Sequence, residues 1–472
     1  MEEITCDKIY RKHTLIRVLG ITSLMILILA GVACAAPFAY VTNLGNYSND
    51  TNYNGAIPTP SVAVIDTATN NITARVLLGD GWPVGVAVNP EGTKLFVASA
   101  AIDVCTVYVI DTAANAVSAK VNIRSSYPSG ITFNPAGTRV YVTKQRDNTD
   151  ISVINPATNT LMAPIIVGPS TYDIAFTPDG KKIYAANSHN NTIYIIDAAT
   201  NKVTANVSVG DSPYEVVVTP DGKKVYVPNY NSSTVSVIDT ATDNVTATLP
   251  VGDSPHRVAV TSDGNEVYVA NNNTISVIDT ATDTVIATVP VGTFSREIVI
   301  SPDGSKVYLG NFYNKSVTVI NTKTNTVTAR VPVGEWPMGI AVTPDGKKVY
   351  VANAESDNVS VIDTATNTVI ATVNAGIYPT GVAIVSFMDS NMSAQSTEAI
   401  SNATEDTEVE ESNLSSSEEK KAVEFNNSNN NSESDNDSSS SENELSKNNS
   451  TPGYILFEGL ICLYGVWKFG KK

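Results

Sequence analysis

Cysteine and histidine are scarce in this chain of 472 residues, four of the first and three of the second. Their placement removes whole classes of chemistry. Cys6 and Cys34 lie near the N-terminus and Cys462 in an apolar C-terminal stretch, so Cys105 alone is left for a folded interior. No intramolecular disulfide can form there, and a thiolate metal cluster is excluded. His13 is N-terminal as well, leaving His189 and His256, too few for a histidine-based metal centre. Basic residues are also in short supply: 30 Lys plus Arg against 47 Asp plus Glu give a formal charge of −17. That balance argues against nucleic acid as a partner, because phosphate recognition needs a basic surface. There is no Gly-x-Ser-x-Gly elbow, no phosphate-cradling glycine loop and no Cys–His pair. No catalytic residue and no cofactor are expected.

The two ends have strong compositional signatures. Residues 1–36 follow the secretory pattern: Lys8, Arg11, Lys12 and Arg17 precede an apolar run from Val18 to Val32 that ends in the small-x-small sequence Ala33-Cys34-Ala35. A signal peptide is expected, with a retained N-terminal anchor as the alternative. Residues 387–451 are dominated by Ser, Asn, Glu and Asp, with 15 acidic side chains against three lysines. Such a segment buries too little apolar surface to offset its ordering entropy and is expected to be a disordered, self-repelling spacer. Residues 452–472 begin Pro452-Gly453-Tyr454, continue as an apolar stretch to Trp467 and close on Lys468, Lys471 and Lys472. That order is one of stop-transfer, although the stretch is short for a free-standing span of roughly 20 residues. It resembles the C-terminal sorting signals of archaeal surface proteins, in which Phe stands where this chain has Tyr454. A membrane anchor or a sorting signal is therefore expected, and with it an extracellular, membrane-anchored location.

Between the ends, residues 37–386 repeat with a period of about 42. One unit runs Met338-Gly-Ile-Ala-Val, Pro344-Asp-Gly, Lys348-Val-Tyr-Val-Ala-Asn353, Val359-Ser-Val-Ile-Asp363, Thr364-Ala-Thr-Asn367 and Val369-Ile-Ala-Thr-Val373. Short runs rich in Val, Ile and Tyr, bounded by turn residues, read as strands. Pro-Asp-Gly and Thr-Ala-Thr-Asn suit tight turns with Gly or Asn at positive φ. The Tyr-Val-x-Asn strand occurs eight times, and so does the Val-Ile-Asp strand, whereas Pro-x-Gly turns occur seven times. The first unit thus lacks its first strand, and Gly381-Val-Ala-Ile384 supplies one at the far end. The fold class is all-β: a β-propeller of four-stranded antiparallel blades, eight by repeat count, closed by three N-terminal strands and one C-terminal strand. Seven blades, with one unit outside the ring, is the alternative.

The residues Tyr40-Val-Thr-Asn43, Tyr350-Val-Ala-Asn353 and the repeated Pro-Asp-Gly-Lys-Lys resemble the YVTN propeller family over roughly residues 38 to 386. The resemblance extends to the propeller domains of methanogen surface-layer and cell-surface proteins, where seven blades are usual. Related seven-bladed families include lactonases and oxidoreductase domains, which the resemblance offers as the alternative role.

If first strands run from one face of the disc to the other, the Pro-Asp-Gly and Thr-Ala-Thr-Asn turns share a far face of uniform content. The loops after Tyr-Val-x-Asn and the links between units share a near face of variable content, where recognition is expected. The residue opening the innermost strand is Gly85, Gly130, Gly339 and Gly381 in four units and Asp173, Glu215, Arg257 and Glu297 in the other four, which are consecutive. Tyr172, Tyr214, His256 and Arg296 precede the second set. These eight residues are the candidate ligand-binding set at the channel mouth, for a cation or a polar ligand. The plainer reading is a salt-bridged, hydrated rim. The lysine pairs at 181–182, 223–224 and 347–348 read as solvated hairpin residues. Asn-x-Ser/Thr sequons, Asn71, Asn206, Asn244, Asn314 and Asn358 among them, are compatible with glycosylation. The expected partners are cell-envelope or surface proteins or glycans, and the membrane through the C-terminal segment. The expected role is non-enzymatic adhesion or envelope contact.

Overall fold

The structure is a computed structural model that describes residues 37–45, 59–79, 81–101, 104–123, 127–145 and 149–385. The expected signal peptide, acidic spacer and C-terminal anchor lie outside the described residues.

Each repeat folds as a meander of four antiparallel strands. Seven consecutive units form blades 1 to 7, beginning at Trp82, Pro128, Thr171, Val217, Arg257, Ser295 and Pro337. The eighth is composite: Pro379–Val385 is its innermost strand, followed outward by Phe38–Asn43, Ser61–Asp66 and Asn71–Leu77. The register Phe38↔Val385, Ala39↔Ile384 and Val41↔Val382 joins the two ends of the propeller. Eight blades with a three-plus-one closure are therefore the observed architecture, and neither edge of that blade's inner pair is left open. In blade 2 the fourth strand is broken into Thr160–Leu161 and Ile165–Ile166. Pro164 lies between them and has no N–H to donate to a ladder.

Burial follows strand position. Second and third strands such as Lys348–Asn353 and Asn358–Asp363 are buried on both sides, because neighbouring blades cover them. Fourth strands alternate, as in Thr326–Pro332, with one side packed and the other in solvent. The core is thus a set of sandwiches between adjacent blades. One of them packs Tyr308, Val317 and Val319 of blade 6 against Ile340, Val349 and Val351 of blade 7.

The far face is built on residues with φ above zero. Asn70, Asn115, Asn201, Asp243, Asp283, Asn325 and Asn367 close the Thr-Ala-Thr-Asn type turns at φ between 51 and 57°, except Asn115 at 49°. Short Asn and Asp side chains tolerate this region better than other non-glycine residues. The turn residue also receives the Tyr of the preceding blade. Tyr184 Oη donates to Asp243 at 3.1 Å, Tyr226 to Asp283 at 2.7 Å, Tyr141 to Asn201 at 3.0 Å, and Tyr350 to Asn70 at 2.7 Å. The second lysine of each pair makes the same crossing. Lys182 Nζ donates to Thr240 O at 2.7 Å and Asp243 at 2.8 Å, and Lys224 Nζ to Thr280 O at 2.6 Å and Asp283 at 2.8 Å. Lys348 does so to Thr67 O. This corrects the expectation that the lysine pairs are simply solvated. Only the first of each pair, Lys181, Lys223 and Lys347, is exposed, resting on the Asp of its own turn.

Candidate functional site at the channel mouth

The innermost strands run from the near face to the far face, so the residues that open them ring the mouth of the central channel. Two kinds of seam divide it into halves, one in blades 7, 8, 1 and 2 and the other in blades 3 to 6. In the glycine seams the chains approach closely, and at Gly339 the two backbones are in direct contact. A Cβ on Gly339 would lie 2.6 Å from Thr380 O and 2.9 Å from the Cα of Gly381, leaving no room for a side chain. In blades 3 to 6 the seam is filled instead by the side chains singled out from the sequence. Asp173 accepts from Val216 N of the next blade at 3.1 Å. Glu215 accepts from Val258 N at 2.6 Å, and Arg257 Nε donates to Arg296 O at 2.8 Å. Each reaches one blade onward, so polar side chains do here what backbone contact does at Gly339. The innermost strands of blades 4 and 5, Val217–Val218 and Arg257–Val260, are correspondingly short.

The structure brings all eight candidate residues to one side of the mouth. The three carboxylates keep a part of their surface open to the channel but are surrounded by protein, and burial dominates their titration. Asp173 is pushed up to about 6 by burial, against the pull of hydrogen bonds from Val216 and Ile174 and the charge of Arg257. Glu215 is pushed up to about 8, again by burial, with Arg257 opposing and Asp173 and Glu297 adding to the rise. Glu297 is raised by burial, with Arg257 and Arg296 opposing. The raised titration of all three carboxyls lowers the negative charge that Arg257 and Arg296 face at the mouth. Among the described residues no three His, Cys, Asp or Glu side chains are grouped so as to hold a metal ion.

His256 is buried, with Nδ1 2.8 Å from Ser254 O and Nε2 against Ser295 O. Burial pushes its pKa down, with Arg257 and Arg296 adding to the effect and the two carbonyl oxygens opposing it. Tyr172 and Tyr214 stack at 4.6 Å between ring centroids, and the Arg257 guanidinium lies 5.7 Å from the centre of the Tyr214 ring.

The two tyrosines are part of a longer aromatic series that the sequence reading missed. Tyr230 lies 6.1 Å from Tyr214 and 6.3 Å from His256, which stacks on Phe294 at 5.6 Å. Phe294 meets Phe312 and Tyr313, Phe312 stacks on Trp336 at 4.9 Å, and Trp336 meets Tyr378 edge-on at 6.2 Å. The rings enter from two registers, which hid the pattern. Blades 3 to 5 have Ser170, Ser212 and Ser254 at positive φ and an aromatic residue two positions on. Blades 6 to 8 have the aromatic residue itself there: Phe294 at 53°, Trp336 at 57° and Tyr378 at 54°. The readable signal was an aromatic immediately before the strand-opening proline, in Trp336-Pro337 and Tyr378-Pro379.

Comparison with known proteins supports the fold. A family model described as YNCE-like beta-propeller matches residues 129–231 and 299–397. Among solved structures, hydrazine synthase of Kuenenia stuttgartiensis is 24% identical, with 60% of this chain and 96% of that chain aligned at a TM-score of 0.51. Dihydro-heme d1 dehydrogenase NirN in complex with DHE is 17% identical, with 75% and 76% aligned at a TM-score of 0.59. At these identities the likeness is one of fold. No curated protein matches the chain.

Proposed function

We propose that this protein is a non-enzymatic, cell-surface binding propeller, related to the YVTN propellers of archaeal surface-layer proteins, whose near face is its recognition face. The observation that carries this reading is where the chain enters and leaves the disc. Thr67 N donates to Pro37 O at 3.1 Å, which places the entry beside the Asp66 turn on the far face. Val385, the exit, pairs with Phe38 at the same level. Residues 37 and 385 therefore both lie at the far face, opposite the variable, aromatic-rich face. The secretory pattern of residues 1–36 and the apolar, lysine-closed segment 452–472 support reading the near face as the outward one.

Surface labelling tests the reading. An epitope inserted at Asn272-Asn273 on the near face is expected to be accessible to antibody on intact cells, in a membrane fraction. Recovery of the full chain as a soluble cytoplasmic protein would sink the idea.

A further inference from the structure

We infer that the near face of blades 6 to 8 carries a binding site for a neutral oligosaccharide, centred on Tyr313 and the rings of Phe294, Trp336 and Tyr378. The inference rests on the reading of the near face as the recognition face and names its ligand class.

Backbone strain points first to a site. Phe294, Trp336 and Tyr378 occupy the left-handed region, which disfavours residues with a bulky side chain by about 1 kcal/mol or more. Architecture does not require this, because Ser170, Ser212 and Ser254 serve the same loop position in blades 3 to 5. Three aromatic residues held at strained positions side by side place their rings where a Ser cannot.

The arrangement then suits a ligand that is flat and apolar on one side. Phe312 is fully buried and acts as the floor, and Tyr313 stands perpendicular to it at 88°, with centroids 5.0 Å apart and 48% of Tyr313 exposed. Trp336 and Tyr378 also meet at 88°. Rings that meet edge-on leave a face of one of them turned outward, whereas rings that stack cover each other. Pyranose rings present C–H faces that pack on such surfaces while their hydroxyl groups bond to a polar fringe.

The fringe carries charges of both signs: Lys315 pairs with Glu335 at 2.5 Å, the Arg296 charge acts on Tyr313, and Asp357 lies beside Glu355. Asp357 accepts from Tyr378 N at 2.8 Å and Asn314 accepts from Thr293 N at 2.6 Å, so both are held in place. With both signs interspersed, the fringe presents no field of a single sign to favour a charged ligand over a neutral one. A protein partner would need roughly 20–30 residues a side for a stable interface, far more than this cluster of rings offers.

The full-length protein, purified in detergent, is to be titrated with a panel of neutral β- and α-linked hexose and N-acetylhexosamine tetra- to hexasaccharides by calorimetry. At least one member is expected to bind the wild type. Tyr313→Ala, at a half-exposed position that leaves the core intact, is expected to weaken that binding about tenfold, the loss of one good aromatic contact. Tyr313→Phe keeps the ring and is expected to stay within about threefold of wild type. Trp336→Ala is expected to abolish binding, with an unchanged circular dichroism spectrum as the check on folding. Absence of binding by the whole panel, or equal binding by Tyr313→Ala, overturns the inference. Capture of an envelope protein by a photocrosslinker at position 313, with no saccharide bound, also overturns it while leaving the surface location intact.

Discussion

Asn159 has a buried side-chain oxygen without a hydrogen-bond donor, and the cause is a single missing atom one blade away. In most blades the Tyr of Tyr-Val-x-Asn sends its hydroxyl to this position of the following turn. In blade 1 the residue is Phe96, buried and packed edge-on against Phe133 at 5.2 Å. Phe96→Tyr is therefore expected to stabilise the protein by about 1 kcal/mol, measured as a higher urea midpoint at unchanged slope. Tyr184→Phe, the reverse change, is expected to destabilise by a similar amount. Glu215 gives a pH prediction of definite sign. Its carboxyl titrates at 4.5 when unperturbed and at about 8 in the folded protein. Between these values the folded state holds a proton that the unfolded state has released, so this group's stabilising contribution is full below the window and falls as pH rises through it. Glu215→Gln keeps the acceptor for Val258 N and removes the titration. At pH 9 the variant is expected to be more stable than wild type by on the order of 1–3 kcal/mol, with little difference at pH 4. Melting curves at both pH values measure this, and parallel losses in the two proteins would contradict it.

At the scale of the strand and turn, neighbouring positions have different fates. Lys223 rests on its own turn in solvent, whereas Lys224 crosses to the carbonyl of Thr280 and the carboxylate of Asp283. Lys224→Ala is expected to cost about 1–3 kcal/mol and Lys223→Ala less than about 0.5 kcal/mol, compared by thermal melting at one pH. The seams behave similarly. Gly339→Ala forces apart two backbones in contact and is expected to cost about 1–3 kcal/mol. The strands and turns were legible in the sequence because short apolar runs rich in Val, Ile and Tyr and the Gly or Asn of each turn are local signals. The ties between blades were not, since Tyr226 and Asp283 are 57 positions apart and nothing local marks Lys224 as different from Lys223. The channel-mouth set was legible as a cluster because the repeat exposes which position varies. Its role as a seam was not, because only the structure shows that Asp173 bonds to the next blade's backbone.

For the whole molecule, the mismatch between eight second strands and seven Pro-x-Gly turns pointed to the closure and to eight blades, with seven left as the alternative until the strand order excluded it. The aromatic series escaped because its rings belong to two registers, and only the geometry of the ring brings them together. The candidate carboxylates, by contrast, are nearly neutralised by Arg257 and Arg296, so the acidity of the chain resides mostly in residues 387–451. Closure itself is testable. Deleting residues 379–385 uncovers the edge of Phe38–Asn43 and the flank of blade 7, and the expected outcome is loss of a single cooperative melting transition together with association seen by size exclusion. A deletion variant that stays monomeric with an unchanged melt would show that the ring holds without its closing strand.

The closing strand also decides how the disc responds to load. A pull on the chain beyond Val385, resisted by a ligand on the opposite face, acts along the axis of Pro379–Val385. The hydrogen bonds to Phe38–Asn43 lie across that axis and are sheared together instead of being unzipped in turn. A ring closed by its last strand thus takes tension on its strongest direction.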